Sequence, residues 1–471
     1  MENFWDFSVW GFFNIFAILL FSLLVANALK KSIKFLNASL IPTSVIGGLI
    51  LLIIAAIYKS VFDIRIFDTE FFGGNGSSYL EMITYHALAL GFVSASLKHT
   101  KNKASKERVG EIINTGVTTV STYLLQGVVG MVITIVTAMI IPGFFKASGI
   151  LLPFGFGQGT GQAMNYGNIF EIEHGFDGGK SFGLTIAAMG FIAASIGGVI
   201  HLNIMKHKGK IKINHEIIEK IDSEEIQSKD EIPMQESIDK FTIQIALITL
   251  AYLITFVIMW CLGMIFPGMR STIYGFNFIL GVLSATLVKG VFKGLKKIGF
   301  VKKEYTNNFL LTRASNFFYD VMVVAGIAAI RVDIIEQYWG VLVILGVVGL
   351  FVTYTYNRFV AVKLFPNYKE EQFLVMYGML TGTASTGIIL LREIDGEFKT
   401  PAADNLVYQN FPAIILGFPM MFLATWAPVE TYWTLAILAA FFVVLNFVLF
   451  RKQIFGRRRK AQAAVKEEET V

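Results

Sequence analysis

Residues 150–168 read ILLPFGFGQGTGQAMNYGN, and residues 373–392 read FLVMYGMLTGTASTGIILLR. Both contain the pattern Gly-x-x-x-Gly-Thr, at 155–160 and at 378–383. Each stretch is apolar, but it holds too much Gly, Ser and Thr for an ordinary lipid-facing helix. Irregular backbone is tolerated inside a membrane only where protein or a water-filled cavity surrounds it. A pair of Gly-broken segments at matching places in two halves of a chain indicates the binding site of a transporter.

The composition around these stretches is that of a polytopic membrane protein. Of 471 residues, 54% are hydrophobic and 16% are charged, whereas a soluble domain carries about 25% charged residues. The single cysteine, Cys261, excludes an internal disulfide, and the six histidines show no metal-ligand spacing. The sequence shows neither a nucleophile–base arrangement nor a nucleotide-binding motif, so we expect neither an enzyme nor an ATP-driven pump.

Apolar runs long enough to cross a bilayer recur along the whole chain. The predicted spans are 8–29, 39–58, 80–97, 111–140, 181–205, 241–265, 272–290, 309–330, 338–362, 405–427 and 430–450. The two Gly-broken stretches, 150–168 and 373–392, are predicted to be re-entrant loops. The sequence therefore predicts an all-α protein with eleven spans and two re-entrant loops.

Charge orients these spans, because short cytoplasmic loops are enriched in Lys and Arg. Positive clusters follow the first, third, fifth, seventh and last spans, and they begin at Lys30, Lys98, Lys206, Lys289 and Arg451. They share one side only if both broken stretches enter and leave on the same side. The prediction is a cytoplasmic C-terminus, an external N-terminus and an inner-membrane location. Net charge +6 does not indicate nucleic-acid binding, since the positive residues lie beside spans.

The chain divides into two halves of matching design. The predicted N-terminal repeat is 1–205, the cytoplasmic linker is 206–240, and the C-terminal repeat is 241–427. Residues 428–471 add an extra span and a basic cytoplasmic tail. Each repeat has four spans, a re-entrant loop and a fifth span. Because five is odd, the halves must be inverted relative to each other, and the two re-entrant tips are expected to meet near the bilayer midplane.

The candidate substrate- and ion-binding residues are mostly the small and polar groups of the broken stretches. They are Gly155, Gln158, Gly159, Thr160, Gln162 and Asn165 in the first, and Gly378, Thr381, Gly382, Thr383, Ser385 and Thr386 in the second. Carbonyls and hydroxyls suit Na+, and N–H groups at helix N-termini suit a carboxylate. Tight helix packing through small residues is the alternative reading of such motifs.

Three further candidates lie outside the two motifs. Asp320 is halfway along the eighth predicted span, where an unpaired carboxylate costs about 2.5–3.5 kcal/mol on the insertion scale. It joins Thr160 and Thr383 as a candidate Na+ ligand, or it pairs with a polar group on another span. Arg392 would clamp a substrate carboxylate, or it would snorkel at the interface or pair with Glu393. Asn405 opens the tenth predicted span.

Taken together, these segments resemble the bacterial sodium/glutamate symporter family over about residues 8–427. The resemblance rests on IPTSVIGGLI at 41–50, GFGQGTGQA at 155–163 and GMLTGTAST at 378–386. It implies ten spans in two inverted halves of five, a Gly-rich re-entrant loop in each half, and a homodimer. It also implies Na+-coupled uptake of L-glutamate by alternating access, with no cofactor beyond the coupling ion. The chain departs from the family where Gln158 replaces a usual His and Phe156 a usual Gly, and in its extra last span.

Two other functions remain open on the sequence alone. One is a transporter of another organic anion, coupled to Na+ or, through Asp320, to H+. The other is an ion channel, because polar re-entrant loops also build ion filters. A channel usually repeats one filter around an oligomer axis, so two different loops in one chain favour a transporter.

Overall fold

The computed structural model describes residues 3–98, 106–211, 231–234, 238–395 and 399–468, and within them the secondary structure is helical apart from an isolated bridge between Glu231 and Glu304. The main helices of the first half are α1 Phe7–Ser32, α2 Thr43–Phe62, α3 Gly76–Leu97, α4 Lys106–Ile140, α5 Leu151–His174 and α6 Gly179–His207. Those of the second half are α7 Lys240–Ile265, α8 Asn277–Lys297, α9 Asn308–Ala328, α10 Trp339–Leu364, α11 Lys369–Thr381, α12 Ala384–Arg392, α13 Ala402–Tyr408, α14 Asn410–Trp426 and α15 Thr431–Glu468. Short helices Lys34–Ala38, Arg270–Gly275 and Val332–Ile335 lie in the connections.

Most predicted spans coincide with these helices to within a few residues, but α8 begins five residues after and ends seven residues after the predicted span 272–290, and α15 extends well beyond residue 450. In the described part of the chain, nine helices are long and apolar enough to cross a membrane, or ten if α13 and α14, bent by 51°, form one broken span. Helix α9 is of similar length but less apolar, since it carries Arg313 and Asp320. The chain is thus an all-α, multi-pass membrane protein. Of the predicted linker, residues 212–230 and 235–237 lie outside the described residues.

The helices pack as two groups. The first, here called the six-helix bundle, consists of α1, α2, α3, α7, α8 and α9, and the α3–α9 pair is central to it. The second, here called the hairpin bundle, consists of α4, α5, α6 and α10–α15. Helix α5 joins the two groups, because it packs against α3 and α9 as well as against α4 and α6. Large aromatic side chains such as Phe154 and Phe156 are fully buried there.

The first broken stretch folds back on itself. Gly159 has φ +81° and ψ −171°, and this backbone, open essentially to glycine alone, divides α5 into arms at 151–158 and 160–174. The rings of Phe154 and Tyr166 stack with centroids 3.9 Å apart, whereas twelve residues of unbroken helix would separate them by about 18 Å. At the base, Phe145 stacks on Phe176 at 4.6 Å, so the chain enters and leaves at one end. We call this unit the first hairpin.

The second broken stretch also reverses direction. Helices α11 and α12 are separated by Gly382 and Thr383, and they pack against each other. A Cβ placed on Gly378 would lie 2.7 Å from Cα of Gly387, which shows how close the two arms are. Near the base, Leu390 of α12 lies in one apolar cluster with Phe373 of α11, and Nδ2 of Asn405 in the following helix donates to Oη of Tyr368 at 3.0 Å. The segments before and after the hairpin therefore lie close together. We call α11 and α12 the second hairpin.

Candidate functional site

The two hairpins approach each other from opposite ends of helix α6. The base of the first hairpin is at the N-terminus of α6, where Gly167 contacts Gly179 backbone to backbone. The base of the second is near the C-terminus, where Glu370 Oε2 lies 3.0 Å from Nε2 of His201. Phe191 lies between these points, about 18 Å from Gly179 and about 15 Å from His201 along the helix axis. The hairpins therefore point toward one another along a shared helix.

The tips meet beside Phe191. A Cβ built on Gly159 would lie 3.6 Å from Cγ2 of Thr383 and 4.0 Å from Cζ of Phe191. A Cβ on Gly382 would lie 3.1 Å from Cδ1 of the same phenylalanine. The two Gly-Thr pairs are more than 200 residues apart in the sequence, yet they leave room for little more than one methyl group between Gly159 and Thr383. A Cβ at Gly159 would make an ordinary contact with Thr383, so it is the positive φ of Gly159 rather than a lack of space that requires glycine there.

Each tip carries the end of one half-helix and the start of another. At the first tip, the arm ending at Gln158 presents carbonyl groups and the arm starting at Thr160 presents N–H groups. At the second tip, α11 ends at Thr381 and α12 starts at Ala384. Helix C-termini carry partial negative charge and N-termini partial positive charge. The tip region can therefore attract a small cation to the carbonyl ends and an anionic group to the N–H ends.

Gln162 is a polar side chain near the first tip whose amide group has no hydrogen-bond partner in the described part of the chain. It is 1% exposed, and neither its Oε1 nor its Nε2 has a hydrogen-bond partner among the described residues. Leaving a buried amide unsatisfied costs about 1–3 kcal/mol, so such a group is retained where something else satisfies it. Gln158, by contrast, is half-buried.

The hydroxyl groups of both tips are mostly engaged locally. Thr160 Oγ1 donates to the carbonyl of Met322 in α9 at 3.2 Å, which ties the first tip to the six-helix bundle. Thr381 Oγ1 donates to the carbonyl of Tyr377 at 2.6 Å. Thr383 and Thr386 share a hydrogen bond of 3.3 Å between their hydroxyls. The side chain of Ser385 lies outside the described part of the structure.

Other candidates lie farther from the tips. Asn165, one turn beyond Gln162, donates to the carbonyl of Gly275 at 3.1 Å. Gly155 and Gly378 have packing roles, against α6 and within the second hairpin respectively. The alternative reading of the motifs, close helix packing, thus applies to the first glycine of each.

The three candidates outside the motifs are not brought to the tips. Asp320 is exposed and has Ser44 of α2 as its polar neighbour, on a different face of α9 from Met322. Arg392 is exposed at the end of α12, about 13 Å along the helix from the second tip. Asn405 belongs to the base of the second hairpin, where Nδ2 also donates to Oε1 of Gln372 at 3.0 Å.

Sequence reasoning missed the residues that hold the tips in place. The ring of Phe191 in α6 lies beside both tips, and the carbonyl of Met322 accepts the hydrogen bond of Thr160. From α4, Tyr123 Oη donates to the carbonyl of Gly157 at 3.0 Å, and Gln126 Nε2 donates to the carbonyl of Leu380 at 2.9 Å. One helix therefore contacts both hairpins just before their tips. An aromatic or amide inside an apolar helix gives no sequence signal of such a contact.

Ionic contacts secure each end of α6. At its N-terminus, Glu81 pairs with Lys180 at 2.7 Å and with Arg331 at 2.6 Å, which joins α3, α6 and the segment after α9. Near its C-terminus, Arg358 of α10 contacts both carboxylate oxygens of Glu370, at 2.6 and 2.9 Å. Among the described residues, no group of three His, Cys, Asp or Glu side chains is placed to hold a metal ion.

Neither a scan against models of known protein families nor a search of curated proteins finds a match to this chain.

Proposed function

We propose that this protein is a secondary active transporter that couples Na+ to the uptake of a small organic anion by alternating access. L-glutamate is the first candidate substrate, as the sequence resemblance implies. The observation that carries the proposal is the close approach of the tips of two hairpins whose bases lie at opposite ends of α6. A site between such tips faces one side or the other, depending on which hairpin withdraws.

Reciprocal packing of the helices supports an inverted repeat. Helix α1 packs on α2 as α7 packs on α8, and α2 packs on α9 as α8 packs on α3. Helix α10 packs on α6 as α4 packs on α14. If α1, α2, α3, α4 and α6 are matched in order with α7, α8, α9, α10 and α14, each of these contacts maps onto the other contact of its pair. A repeat of this kind, with broken helices at its interface, is typical of ion-coupled transporters.

The unsatisfied amide of Gln162 supports a polar ligand at the tips. Amide groups both donate and accept, so Gln162 can bond a substrate carboxylate or ammonium group. The facing N-termini of the arm from Thr160 and of α12 favour the carboxylate. The hydroxyls of Thr160 and Thr383 remain candidate Na+ ligands, together with the carbonyl ends of the same half-helices.

Uptake of labelled L-glutamate into proteoliposomes tests the proposal. We expect concentrative uptake with an inward Na+ gradient and little uptake with an equal K+ gradient. Thr383→Val should reduce it severalfold, whereas Thr286→Val, an exposed threonine of α8, should not. No uptake by folded protein would remove glutamate, and other amino acids and dicarboxylates would be tested next. Uptake driven by a proton gradient without Na+ would favour the H+-coupled alternative.

The inverted arrangement and the external N-terminus belong to the same proposal and have a separate test. With Cys261 replaced by Ala, we expect Ile172→Cys at the first base to react with an impermeant maleimide from outside the cell. We expect Asn367→Cys at the second base to react only after permeabilisation. Both positions are exposed. Labelling of both from one side would contradict the arrangement. The homodimer and the inner-membrane location rest on the resemblance and the loop charges.

A further inference from the structure

Helices α4 and α10 cross near the middle of each, and the same short motif lies on both at the crossing. In α4 it reads Thr122-Tyr-Leu-Leu-Gln126, and in α10 it reads Thr353-Tyr-Thr-Tyr-Asn357. A threonine and an amide four residues apart share one face of a helix. These two helices are the fourth spans of the two halves and correspond to each other in the proposed repeat.

The four side chains form one connected cluster. Gln126 Nε2 donates to Oγ1 of Thr353 at 2.8 Å, and Asn357 Nδ2 reaches Oγ1 of Thr122 at 3.4 Å. The threonine of each helix thus lies against the amide of the other, which makes the helices antiparallel at the crossing. All four side chains are at most 2% exposed. The cluster is a buried polar layer inside the hairpin bundle.

Two oxygens of this cluster are left without a donor. Oε1 of Gln126 and Oδ1 of Asn357 have no hydrogen-bond partner in the described part of the chain. Exchanging the amide N and O positions does not remove the problem. Gln126 Nε2 also faces the carbonyl of Leu380 at 2.9 Å, and Asn357 Nδ2 faces the carbonyl of Thr353 at 2.9 Å. Carbonyls only accept, so the amide oxygens must point away from them.

We propose that a monovalent cation of the size of Na+ binds between α4 and α10, with the amide oxygens of Gln126 and Asn357 as ligands. The hydroxyl oxygens of Thr122 and Thr353 complete the protein ligands. All four are neutral oxygen donors, which suit a hard cation, and they carry no charge to offset a divalent ion in a buried layer. This deepens the proposed Na+ coupling, on which it rests, by adding an ion site away from Thr160, Asp320 and Thr383.

Such an ion would act on both hairpins through α4. The amide of Gln126 that offers Oε1 to the ion uses Nε2 to hold the carbonyl of Leu380, next to the second tip. Tyr123, the neighbour of Thr122, holds the carbonyl of Gly157 next to the first tip. An occupied site would fix the Gln126 side chain and with it the position of the second tip. Ion and substrate would then favour the same arrangement of the tips, so that binding of one would raise the affinity for the other.

Thermal unfolding of the full-length purified protein in detergent tests the site without requiring transport. At constant ionic strength, NaCl should raise the melting temperature over KCl or choline chloride, because a ligand that binds only the folded state stabilises it. Gln126→Met and Asn357→Leu should raise the Na+ concentration for half-maximal stabilisation about tenfold or more, the loss expected for about 1.4 kcal/mol of binding free energy. Thr353→Val should also raise this Na+ concentration. Because valine has nearly the shape of threonine, this variant is expected to fold even if the other two do not.

The matched control is Gln244→Met. Gln244 is equally buried, but its Nε2 donates to the carbonyls of Lys240 and Tyr305, and its Oε1 accepts from the N–H of Asn307. Its loss should lower the melting temperature and leave the Na+ response unchanged. An unchanged Na+ response in folded Gln126→Met and Thr353→Val, or no response in the wild type, would overturn the site. A Na+ response lost in those variants, in a protein whose uptake ignores Na+, would keep the site and overturn the symport.

Discussion

The two hairpins share a sequence motif but are held in different ways. In the first, Gly155 faces α6, where a Cβ would lie 2.6 Å from Cγ2 of Ile186. In the second, Gly378 faces the other arm of its own hairpin at Gly387. The same Gly-x-x-x-Gly-Thr pattern thus joins one hairpin to a neighbouring helix and closes the other upon itself.

The bases of the two hairpins are also held by different kinds of contact. The first hairpin is joined to α6 by backbone contacts at Gly167–Gly179 and Ala163–Gly183, and it bonds α9 through Thr160. The second also packs closely on α6, where a Cβ on Gly190 would lie 2.6 Å from the carbonyl oxygen of Thr381, but its base is held by the Glu370 ion pairs. Close backbone packing resists small displacements, whereas side-chain ion pairs can break and re-form. In the proposed transport cycle, we therefore expect the base of the second hairpin to open first and the first hairpin to move together with α6.

The largest expected effect is at the base of the second hairpin. Glu370→Gln removes the charge that pairs with Arg358; because Arg358 is 22% exposed, the expected loss is below the about 3–5 kcal/mol of a fully buried pair but above that of an exposed one. We expect a markedly lower melting temperature in detergent. Asp63→Asn is the control, since Asp63 pairs with Lys59 in an exposed position and should have little effect. Equal melting temperatures for Glu370→Gln and the wild type would show that the Glu370 ion pairs do not hold the base of the second hairpin.

A smaller effect is expected at the first tip. Gly159→Ala forces a side chain into positive φ, which costs about 1–3 kcal/mol of stability, although the added methyl would only touch Thr383 at an ordinary distance. Because the distortion is at the tip, the uptake rate should fall by more than the loss of folded protein alone would explain. Gly294→Ala in α8, where a Cβ meets nothing within 4 Å, should leave both unchanged. Wild-type uptake in Gly159→Ala would mean that the tip contact is not part of the transport path.

The proposed order of opening can be read from labelling rates. In a protein with Cys261 replaced by Ala, we expect Thr383→Cys to react with a thiol reagent severalfold faster than Thr160→Cys. Thr383 is partly exposed and held by one weak hydroxyl contact, whereas Thr160 is fully buried against α9. Rates should be compared in Na+ and in K+. Faster labelling at position 160 would reverse the assignment of the mobile hairpin.

The smallest effect is expected at the base of the first hairpin. Glu171 lies 3.8 Å from Lys180 and is about a quarter exposed, so Glu171→Gln should cost about 0–1 kcal/mol. Its melting temperature should stay near that of the wild type, far above that of Glu370→Gln. A melting temperature as low as that of Glu370→Gln would show that the bases of both hairpins are stabilised by charge.

The sequence predicted the spans and the two broken stretches, because apolar length and glycine clusters are local signals. The close approach of Gly159 to Thr383 was expected only from the proposed inverted repeat, since no local sequence pattern predicts it. Thr122-Tyr-x-x-Gln126 and Thr353-Tyr-x-x-Asn357 are a second repeated motif, but a single amide inside an apolar span does not mark it in the sequence. Asp320 was predicted either to bind an ion or to pair with a polar group on another span, because charge inside a span is costly; in the structure its polar neighbour is Ser44 of α2, and helix rotation sets that face. Rotation of that kind depends on packing and is invisible in composition.

In the proposed transport cycle, the close approach of the two tips would decide where the membrane voltage acts. A potential falls mainly across the part of a path that excludes water, and if water reaches both hairpins in turn that part would be the layer between Gly159 and Thr383. A full crossing of the membrane changes the energy of one charge by about 2.3 kcal/mol per 100 mV. An ion that passes this layer would gain most of that energy in one short step. We therefore expect electrical work to be concentrated at the tips rather than spread along about 30 Å of bilayer.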